Sequence, residues 1–310
     1  MAPLKSLERD YPIIDSEFQH FCAFHGIFTV EDFLIHDLNA LVMFVWKQPN
    51  SERLKQGIDQ ICFLLESMHR PWLNGVALLK DAQQNKQNKH VFSIGNEGID
   101  SFLHDGLREG RVIELVGPSS SGKTQVCLRA AASVAKLCEG GVVFLDTGNS
   151  FSVHRIACFV SQNSNSTSIE GSHETFEKVM SNISCCRVYD IFGLLDVLHQ
   201  LECKLKCEMQ AGDHLVRLLI IDSLSSLITP ILGGGGPNGH ALMISAGFLL
   251  KKLAHEYSLC VLVTNHMVGG EGGLPKPALG ESWKGVPHVR LLLSRDHRAS
   301  NGYSFSMLKY

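Results

Sequence analysis

The feature that most constrains this chain is the stretch GPSSSGKT, residues 117–124. It follows the apolar run VIELV and precedes the helix-like TQVCLRAAASVA, so a buried strand passes into a helix at this point. Glycines let the backbone turn so that its N–H groups converge on an anion, and a helix N-terminus adds partial positive charge. The pattern GxxxxGK[ST] in this setting predicts a nucleotide site.

The predicted site assigns a role to each of its residues. Lys123 adds a full positive charge for the phosphates, and the Thr124 hydroxyl is placed to bind Mg²⁺. Asp222 closes the apolar strand LVRLLIID and supplies the carboxylate that a phosphate-bound Mg²⁺ needs. The residues predicted to contact the nucleotide here are Gly117, Pro118, Ser119, Ser120, Ser121, Gly122, Lys123, Thr124 and Gln125. The alternatives are a glycine-rich turn without a ligand and, for Asp222, a cap on the turn DSLSS.

Hydrophobic patterning divides the 310 residues into three parts. Residues 1–70 carry apolar residues at helical spacing and predict a small helical N-terminal domain. Residues 71–92 are polar and rich in Gln, Asn and Lys, which predicts a linker. From 93 to 310, short β-branched runs alternate with helical patterns, which predicts an α/β domain with a doubly wound, mostly parallel sheet and a final antiparallel hairpin. The polar segment 161–174 predicts a loop.

Composition excludes several function classes. The formal net charge is −3, so a protein that binds polyanions through its overall field is excluded, and any nucleic-acid contact must come from a local patch. The 10 cysteines form no CxxC pair, which favours reduced thiols in an intracellular protein over a metal site. The start MAPLKSLERDYP lacks a signal-peptide pattern, and no apolar run approaches the ~18 residues that cross a bilayer, so we expect a soluble protein with no membrane contact.

Three segments are specific enough to indicate a family. GIDSFLHDGLREGRVIELVGPSSSGKTQVCLRAA, LLIIDSLSSLITPILGGG, and VLVTNHM with KPALGESWKGVPHVRLLL resemble the RecA-type recombinases and, within them, the D branch of the eukaryotic recombinase paralogues. The resemblance implies a RecA-like P-loop NTPase core that uses ATP and Mg²⁺. It also implies a nuclear protein that acts in homologous-recombination repair of DNA double-strand breaks, as one subunit of a hetero-oligomer with other paralogues. Residues 71–92 match the segment that relatives insert into the sheet edge of the next subunit.

Departures from the family pattern shape the expected activity. The family motif Asp-Thr-Glu-Gly carries a glutamate that orients the attacking water, but this chain reads DTGNS, with Gly148 at that position. Asp146 lies two residues earlier and need not reach the same water. A positioned base contributes ~10²–10⁴-fold, so we expect slow, DNA-stimulated ATP hydrolysis. The chain also stops at YSFSMLKY, where relatives continue, so the last sheet edge is expected to be short.

Two further residues acquire roles from the resemblance. His266, in TNHM, stands where the family has a glutamine that senses the γ-phosphate, and a histidine can still donate a hydrogen bond. It joins Lys123 and Asp222 as the residues expected to act on the phosphates. Arg155, in SVHRI, matches the arginine that stacks on adenine. The alternatives are a core histidine without a role and an exposed helix arginine.

Two glycine-rich segments, 228–240 and 268–284, correspond to the loops that face single-stranded DNA in the family. The first has no Lys or Arg, and the second balances two lysines with two glutamates and offers one stacking side chain, Trp283. Single-strand binders generally combine several cations with aromatic platforms. We therefore expect weak, salt-sensitive binding of single-stranded DNA by this chain alone, with exposed loops of no DNA role as the alternative.

Two other functions remain open at this point. A catalytically silent nucleotide-binding scaffold would have partner assembly as its sole activity. A P-loop phosphotransferase on a small substrate would need a lid with arginines, and the predicted loop 161–174 has no Arg or Lys.

Overall fold

The structure is a computed structural model that describes residues 3–8, 11–30, 32–68, 74–76, 79–80, 90–137, 141–162, 169–211, 216–232, 237–270, 274–296 and 302–309. The chain divides into two compact units, Met1–Gln84 and Asn85–Tyr310. Most of the predicted linker, 71–92, lies outside the described residues. Its last two residues form a short strand instead, because the Phe92 side chain is buried in the core of the second unit.

The N-terminal unit is helical, as predicted. Its helices are α1 (Leu4–Leu7), α2 (Ser16–Phe24), α3 (Asp32–Ile35), α4 (Leu38–Val45) and α5 (Ser51–Met68). Phe18, Phe33 and Ile61 are fully buried at its centre. The Asp37 side chain accepts a hydrogen bond from the Ala40 N–H at 3.3 Å, and such a cap starts a new helix at α4.

The second unit alternates strands and helices. Its elements are β1 (Val91–Phe92), α6 (Glu97–Phe102), β2 (Leu107–Arg108), β3 (Val112–Gly117), α7 (Lys123–Leu137), β4 (Gly141–Asp146), α8 (Val153–Gln162), α9 (Ile169–Ser181), β5 (Ile183–Arg187), α10 (Ile191–Ala211), β6 (Val216–Asp222), α11 (Leu224–Leu232), α12 (Pro237–Glu256), β7 (Cys260–Gly269), β8 (Pro275–Pro277), α13 (Gly280–Lys284), β9 (Val289–Asp296) and β10 (Gly302–Lys309).

The sheet of this unit confirms the predicted α/β architecture. Its strands run in the order β10-β9-β3-β7-β6-β4-β5, with β8 paired to the end of β7. β9 and β10 form the predicted antiparallel hairpin, and the other pairs along this order are parallel. One apolar cluster packs α7, α8 and α9 on one face, and a second packs α10, α11 and α12 on the other. Burial on both faces explains why the strand sequences are continuous apolar runs.

Two loop predictions are wrong in part. The sequence pattern predicts a polar loop for 161–174. In the structure α8 extends to Gln162 and α9 begins at Ile169, and 163–168 lie outside the described residues. Helix α9 forms because its later residues, including Val179, pack into the core. The glycine-rich segment 228–240 belongs to α11 and α12 except for 233–236, which are not described.

A buried carboxylate lies in the central strand β3. The Glu114 side chain is fully buried, and its Oε1 accepts hydrogen bonds from Asn265 Nδ2 at 2.8 Å and from Trp283 Nε1 at 2.9 Å. Its Oε2 accepts from Arg290 Nε, in an ion pair that is itself buried. A carboxylate is tolerated in a core only when it is paired and hydrogen-bonded. Glu114 therefore joins β7, α13 and β9 to the central strand.

Replacing Arg290 with alanine would leave the Glu114 carboxylate buried without its cation. We expect Arg290→Ala to lower the free energy of unfolding of the second unit by about 3–5 kcal/mol. Urea denaturation followed by circular dichroism measures this change. The matched control is Arg295→Ala, which removes an exposed arginine from the same strand and should change stability by no more than ~0.5 kcal/mol. Equal losses in the two variants would contradict a stabilising role for the buried pair.

Candidate nucleotide-binding site

The predicted phosphate cradle connects the end of β3 to the start of α7. At Gly117 an added Cβ would lie 2.4 Å from the carbonyl oxygen of Leu293 and 2.5 Å from Ser121 Oγ, so a larger residue does not fit. Within the loop, Ser120 has a φ of 61° and Gly122 a φ of 94°, a conformation that most side chains disfavour. The cradle is thus a tight turn that depends on glycine at both of its ends.

Lys123 is buried at the first position of α7. Its Nζ donates to the carbonyl oxygens of Gly117 and Pro118, each at 2.8 Å. Burial lowers the pKa of Lys123, and the nearby Asp222 carboxylate partly opposes that shift. Ser121 Oγ is also buried, and it has no hydrogen-bond partner among the described residues. A desolvated ammonium and an unpaired hydroxyl both fit phosphate oxygens as partners.

The predicted Mg²⁺ ligands are in direct contact. Thr124 Oγ1 donates to Asp222 Oδ2 at 2.6 Å. The same carboxylate accepts from Thr264 Oγ1 at 2.6 Å and from Ser150 Oγ at 3.1 Å. A hydroxyl and a carboxylate oxygen are the hard ligands that Mg²⁺ takes when phosphate and water oxygens complete its coordination. The donor set fits the ion, with Thr124 and Asp222 as the residues that would hold it.

The turn after β4 carries a second carboxylate, Asp146, which pairs with Asp222 in register across β4 and β6. It accepts hydrogen bonds from the backbone N–H groups of Gly148 at 3.2 Å, Ser150 at 3.0 Å and Phe151 at 3.1 Å. These contacts fold the turn back onto its own strand. Asp146 therefore organises the DTGNS segment, and its oxygens are occupied by the main chain.

His266 lies beside the cradle, level with Gly117 in the parallel pair of β3 and β7. Its Nε2 is 2.9 Å from the hydroxyl of Ser223, the residue that follows Asp222. Burial lowers the pKa of His266, and the charge of Lys123 lowers it further, so the ring is neutral at physiological pH. A neutral imidazole keeps one N–H donor, which is the capacity that a γ-phosphate sensor requires.

A cavity of about 230 Å³ adjoins the cradle and is walled by apolar side chains that include Val126, Leu293 and Phe305. Arg155 lines it, held by a hydrogen bond from its Nε to Gln125 Oε1 at 2.8 Å. An apolar wall and a planar guanidinium together fit a flat heteroaromatic base. The predicted ATP contacts Ser121, Gly122, Gln125 and Arg155 all line this cavity.

Sequence reasoning missed several polar side chains of the site: Thr147, Ser150, Ser223 and Thr264. Thr147 Oγ1 accepts from the Ser223 N–H at 2.6 Å and so ties the end of β4 to the end of β6. Their positions in the sequence could have indicated them, because each of these residues follows or ends a predicted strand on the side where the site lies. Their partners depend on strand order, which the sequence pattern does not specify.

The predicted DNA-facing segment 268–284 differs from the expectation. Trp283, expected as an exposed stacking platform, is fully buried, so that prediction is wrong. Its indole is needed inside because Glu114 requires the donor. The segment continues β7, adds β8 and ends in α13, with 271–273 outside the described residues.

The described residues contain neither a cluster of side chains suited to a metal ion nor a helix suited to a membrane. No group of three or more histidine, cysteine, aspartate or glutamate side chains there is placed to hold a metal ion. None of the described helices combines the length and apolar character that spanning a membrane requires.

The parallel sheet, the cradle and the Thr124–Asp222 contact together define a P-loop nucleotide-binding protein of the RecA type. The Rad51 family profile matches residues 85–290, and the chain belongs to that family. The predicted resemblance to recombinase paralogues is thereby confirmed.

Individual relatives share this region. The chain is 35% identical over 230 residues to DNA repair protein RAD51 homolog 4 of Bos taurus, covering 74% of this chain and 67% of the relative. It is 34% identical over 222 residues to the Mus musculus protein of the same name, covering 71% and 65%. It is 30% identical over 234 residues to DNA repair protein RAD51 homolog 2 of Mus musculus, covering 72% and 64%. The chain thus spans about two thirds of the length of these curated relatives.

Lys123 is placed to contact the phosphates and Arg155 to contact the base, so we expect substitutions of the two residues to weaken ligand binding in different ways. Lys123→Ala should weaken binding of both Mg·ATP and inorganic tripolyphosphate by at least about tenfold, because a charged hydrogen-bond donor is lost. Arg155→Ala should weaken Mg·ATP roughly 5- to 30-fold through the lost stacking contact, and should leave tripolyphosphate binding unchanged. Isothermal titration calorimetry measures both ligands. Parallel losses for the two ligands in Arg155→Ala would contradict its placement at the base.

Proposed function

We propose that this protein is an ATP-binding Rad51 paralogue that acts in the nucleus, in homologous-recombination repair of DNA double-strand breaks. The Rad51 family consists of DNA-dependent ATPases that bind ATP with Mg²⁺, and the similar proteins are named as DNA repair proteins. The observation that carries the proposal is the contact between Thr124 and Asp222 beside the buried Lys123, which matches the needs of a Mg-bound triphosphate.

The bound ATP serves mainly as a retained ligand. Hydrolysis needs a base that orients water, and Gly148 has no side chain to supply one. Asp146, the nearest carboxylate in that turn, is occupied by three backbone N–H groups. The missing base removes ~10²–10⁴-fold in rate, so the protein hydrolyses ATP slowly, with stimulation by DNA.

Retained ATP fits a role in subunit assembly. A nucleotide that binds the assembled form better than the free subunit stabilises assembly by mass action. Among the described residues, β5 pairs only with β4, and Ser184, Cys185 and Arg187 on it are exposed. An open strand edge of this kind accepts an added strand. We therefore assign partner contact to this edge and to the segment 71–92, with other recombinase paralogues as the partners.

Binding of single-stranded DNA by the chain alone is weak in this proposal. The segment 268–284 offers no exposed aromatic among its described residues, since Trp283 is buried, and its Lys284 lies 3.4 Å from the Glu281 carboxylate. A phosphate ligand would have to compete with that carboxylate. The functional DNA complex then forms chiefly in the assembled oligomer.

The second candidate function is a nucleotide-binding scaffold with no hydrolysis at all. Gly148 favours this candidate as well, because a site without a side chain that orients water is expected to hydrolyse ATP slowly or not at all. The phosphotransferase alternative lost its support once the family was established.

Restoring a carboxylate at residue 148 should increase turnover. An added Cβ at Gly148 meets no heavy atom within 4 Å, so the backbone has room for the first atom of a side chain there. We expect Gly148→Glu to raise the rate of ATP hydrolysis at least about tenfold with DNA and partner subunits present, part of the contribution of a positioned base. A coupled phosphate-release assay measures it. Gly148→Gln is the matched control, with the same size and no carboxylate, and equal rates for the two variants would refute the explanation.

Loss of ATP binding should weaken assembly if the nucleotide acts as an assembly ligand. We expect Lys123→Ala to reduce recovery of co-expressed recombinase paralogues several-fold in a pull-down with Mg·ATP, and to abolish the difference between samples with and without ATP. Quantitative mass spectrometry of the eluates measures recovery. If Lys123→Ala retains its partners and also restores repair in cells lacking the protein, the scaffold function is correct and the pocket is vestigial.

A further inference from the structure

We propose that a strip of cations at the base of the sheet binds the phosphate backbone of a nucleic acid. This basal strip consists of Arg108, Arg111, Lys251 and Lys309. It lies where β3 and β9 begin, whereas the cradle lies where β3 ends. Arg111 and Gly117 are six positions apart along the strand, so the two ends are roughly 20 Å apart. The basal strip is therefore distinct from the ATP site and from the segment that follows β6.

Hydrogen bonds place the basal strip around one short segment, residues 284–288. Lys309 Nζ donates to the carbonyl oxygens of Pro287 at 2.7 Å and Lys284 at 3.0 Å. Lys251 Nζ donates to the carbonyl oxygen of Gly285 at 2.9 Å. These contacts come from β10 and α12, so two cations of different elements converge on the same turn.

The arginines join the strip from the other side of that turn. The backbone N–H of Val112 donates to His288 Nδ1 at 2.9 Å, which fixes the neighbouring Arg111 beside the segment. Arg108 and Arg111 line one shallow pocket and both are exposed. Arg108 reaches the carbonyl oxygen of His104 at 3.1 Å.

The basal strip has no ion pair with a carboxylate among the described residues, in contrast to Lys252, which lies 2.7 Å from Glu202. The buried Glu114 partly opposes the lowering of the Lys309 pKa, but its ion pair is with Arg290. Bonds to neutral carbonyls leave the charge in place, and a lysine ammonium has three donors, of which Lys251 uses one and Lys309 two. Each cation thus retains capacity for an anionic oxygen.

The pKa of His288 reflects the positive charges that lie around it. Burial, together with the smaller effects of the charges on Arg111, Lys251, Lys309 and His255, lowers the pKa of His288 to about 4. The ring is neutral at physiological pH, so the charge of the strip comes from the arginines and lysines. The formal net charge of the chain is −3, so these cations form a local positive patch and not part of an overall positive field.

The phosphate backbone is the partner that this chemistry fits. The basal strip offers cations and donors without an exposed aromatic platform in its contacts, which suits sequence-independent contact to phosphates rather than readout of bases. Four phosphate contacts predict a slope of about −2.8 for log K against log salt with a single strand. Affinity then falls on the order of fifty-fold between 50 and 200 mM salt.

The test compares two double variants that remove the same charge. Arg108→Gln with Arg111→Gln alters the basal strip, and Lys204→Gln with Lys206→Gln alters two exposed lysines of α10 that are paired with carboxylates. Fluorescence anisotropy of the full chain with labelled oligo-dT and with a labelled duplex of mixed sequence is measured over a salt series. Mg·ATP binding by calorimetry is the folding control, since neither pair contacts the cradle.

We expect the basal variant to reduce the magnitude of the single-strand salt slope by about 1.4, from the loss of two phosphate contacts, and the Lys204 and Lys206 variant to leave it unchanged. The two DNA probes distinguish single-strand from duplex preference, and loss on either probe supports the strip. Equal losses in the two variants, loss confined to the Lys204 and Lys206 variant, or no binding by the unaltered chain would overturn the proposal. Each outcome is independent of whether the bound ATP is hydrolysed.

Discussion

The candidate site depends on the hydrogen bonds that the Asp222 carboxylate accepts. They come from Thr124 on α7, Ser150 after β4 and Thr264 on β7. One side chain therefore holds the helix that follows the cradle and the ends of two neighbouring strands in a common geometry. A carboxylate buried at this position requires such donors, and one of them, Thr124, is also a residue that would hold Mg²⁺ together with Asp222. Stability and ligand binding are served by one set of contacts.

The slow hydrolysis that we propose rests on what the same site contains at residue 148. In this proposal Lys123, Thr124 and Asp222 provide charge and metal ligands, which are binding functions. Turnover needs a base near the γ-phosphate, and the turn that would carry it has glycine at 148, with its remaining acid, Asp146, bonded to the backbone. We therefore propose that the protein holds a triphosphate and hydrolyses it slowly. Such a site is suited to control assembly through occupancy.

Much of this arrangement could be predicted from sequence, because the strongest signals are local. The strand, the cradle and the helix are contiguous in GPSSSGKT and its flanks, and Asp222 is marked by its position after an apolar strand. The contacts of Asp222 with Ser150 and Thr264 could not be predicted, since they depend on which strands become neighbours. The helix at α9 was missed because its polar start resembles a loop, and the apolar side chains that anchor it come later in the chain.

Trp283 shows a different limit. In sequence it stands in a polar, glycine-containing segment, where an exposed aromatic is a reasonable expectation. Its burial depends on Glu114, a charged residue inside the run VIELV that needs donors from three other elements. A glutamate in an otherwise apolar central strand was the available signal. It indicates that polar partners exist but not which residues provide them.

The most direct test of ATP retention is the chemical identity of the nucleotide that the protein releases. Radiolabelled Mg·ATP is bound to the purified complex with its partner subunits, unbound nucleotide is removed, and the nucleotide that dissociates is resolved by chromatography. A retained ligand predicts that most of the released nucleotide is ATP. Release of mainly ADP would contradict it, because hydrolysis would then be faster than dissociation despite glycine at residue 148.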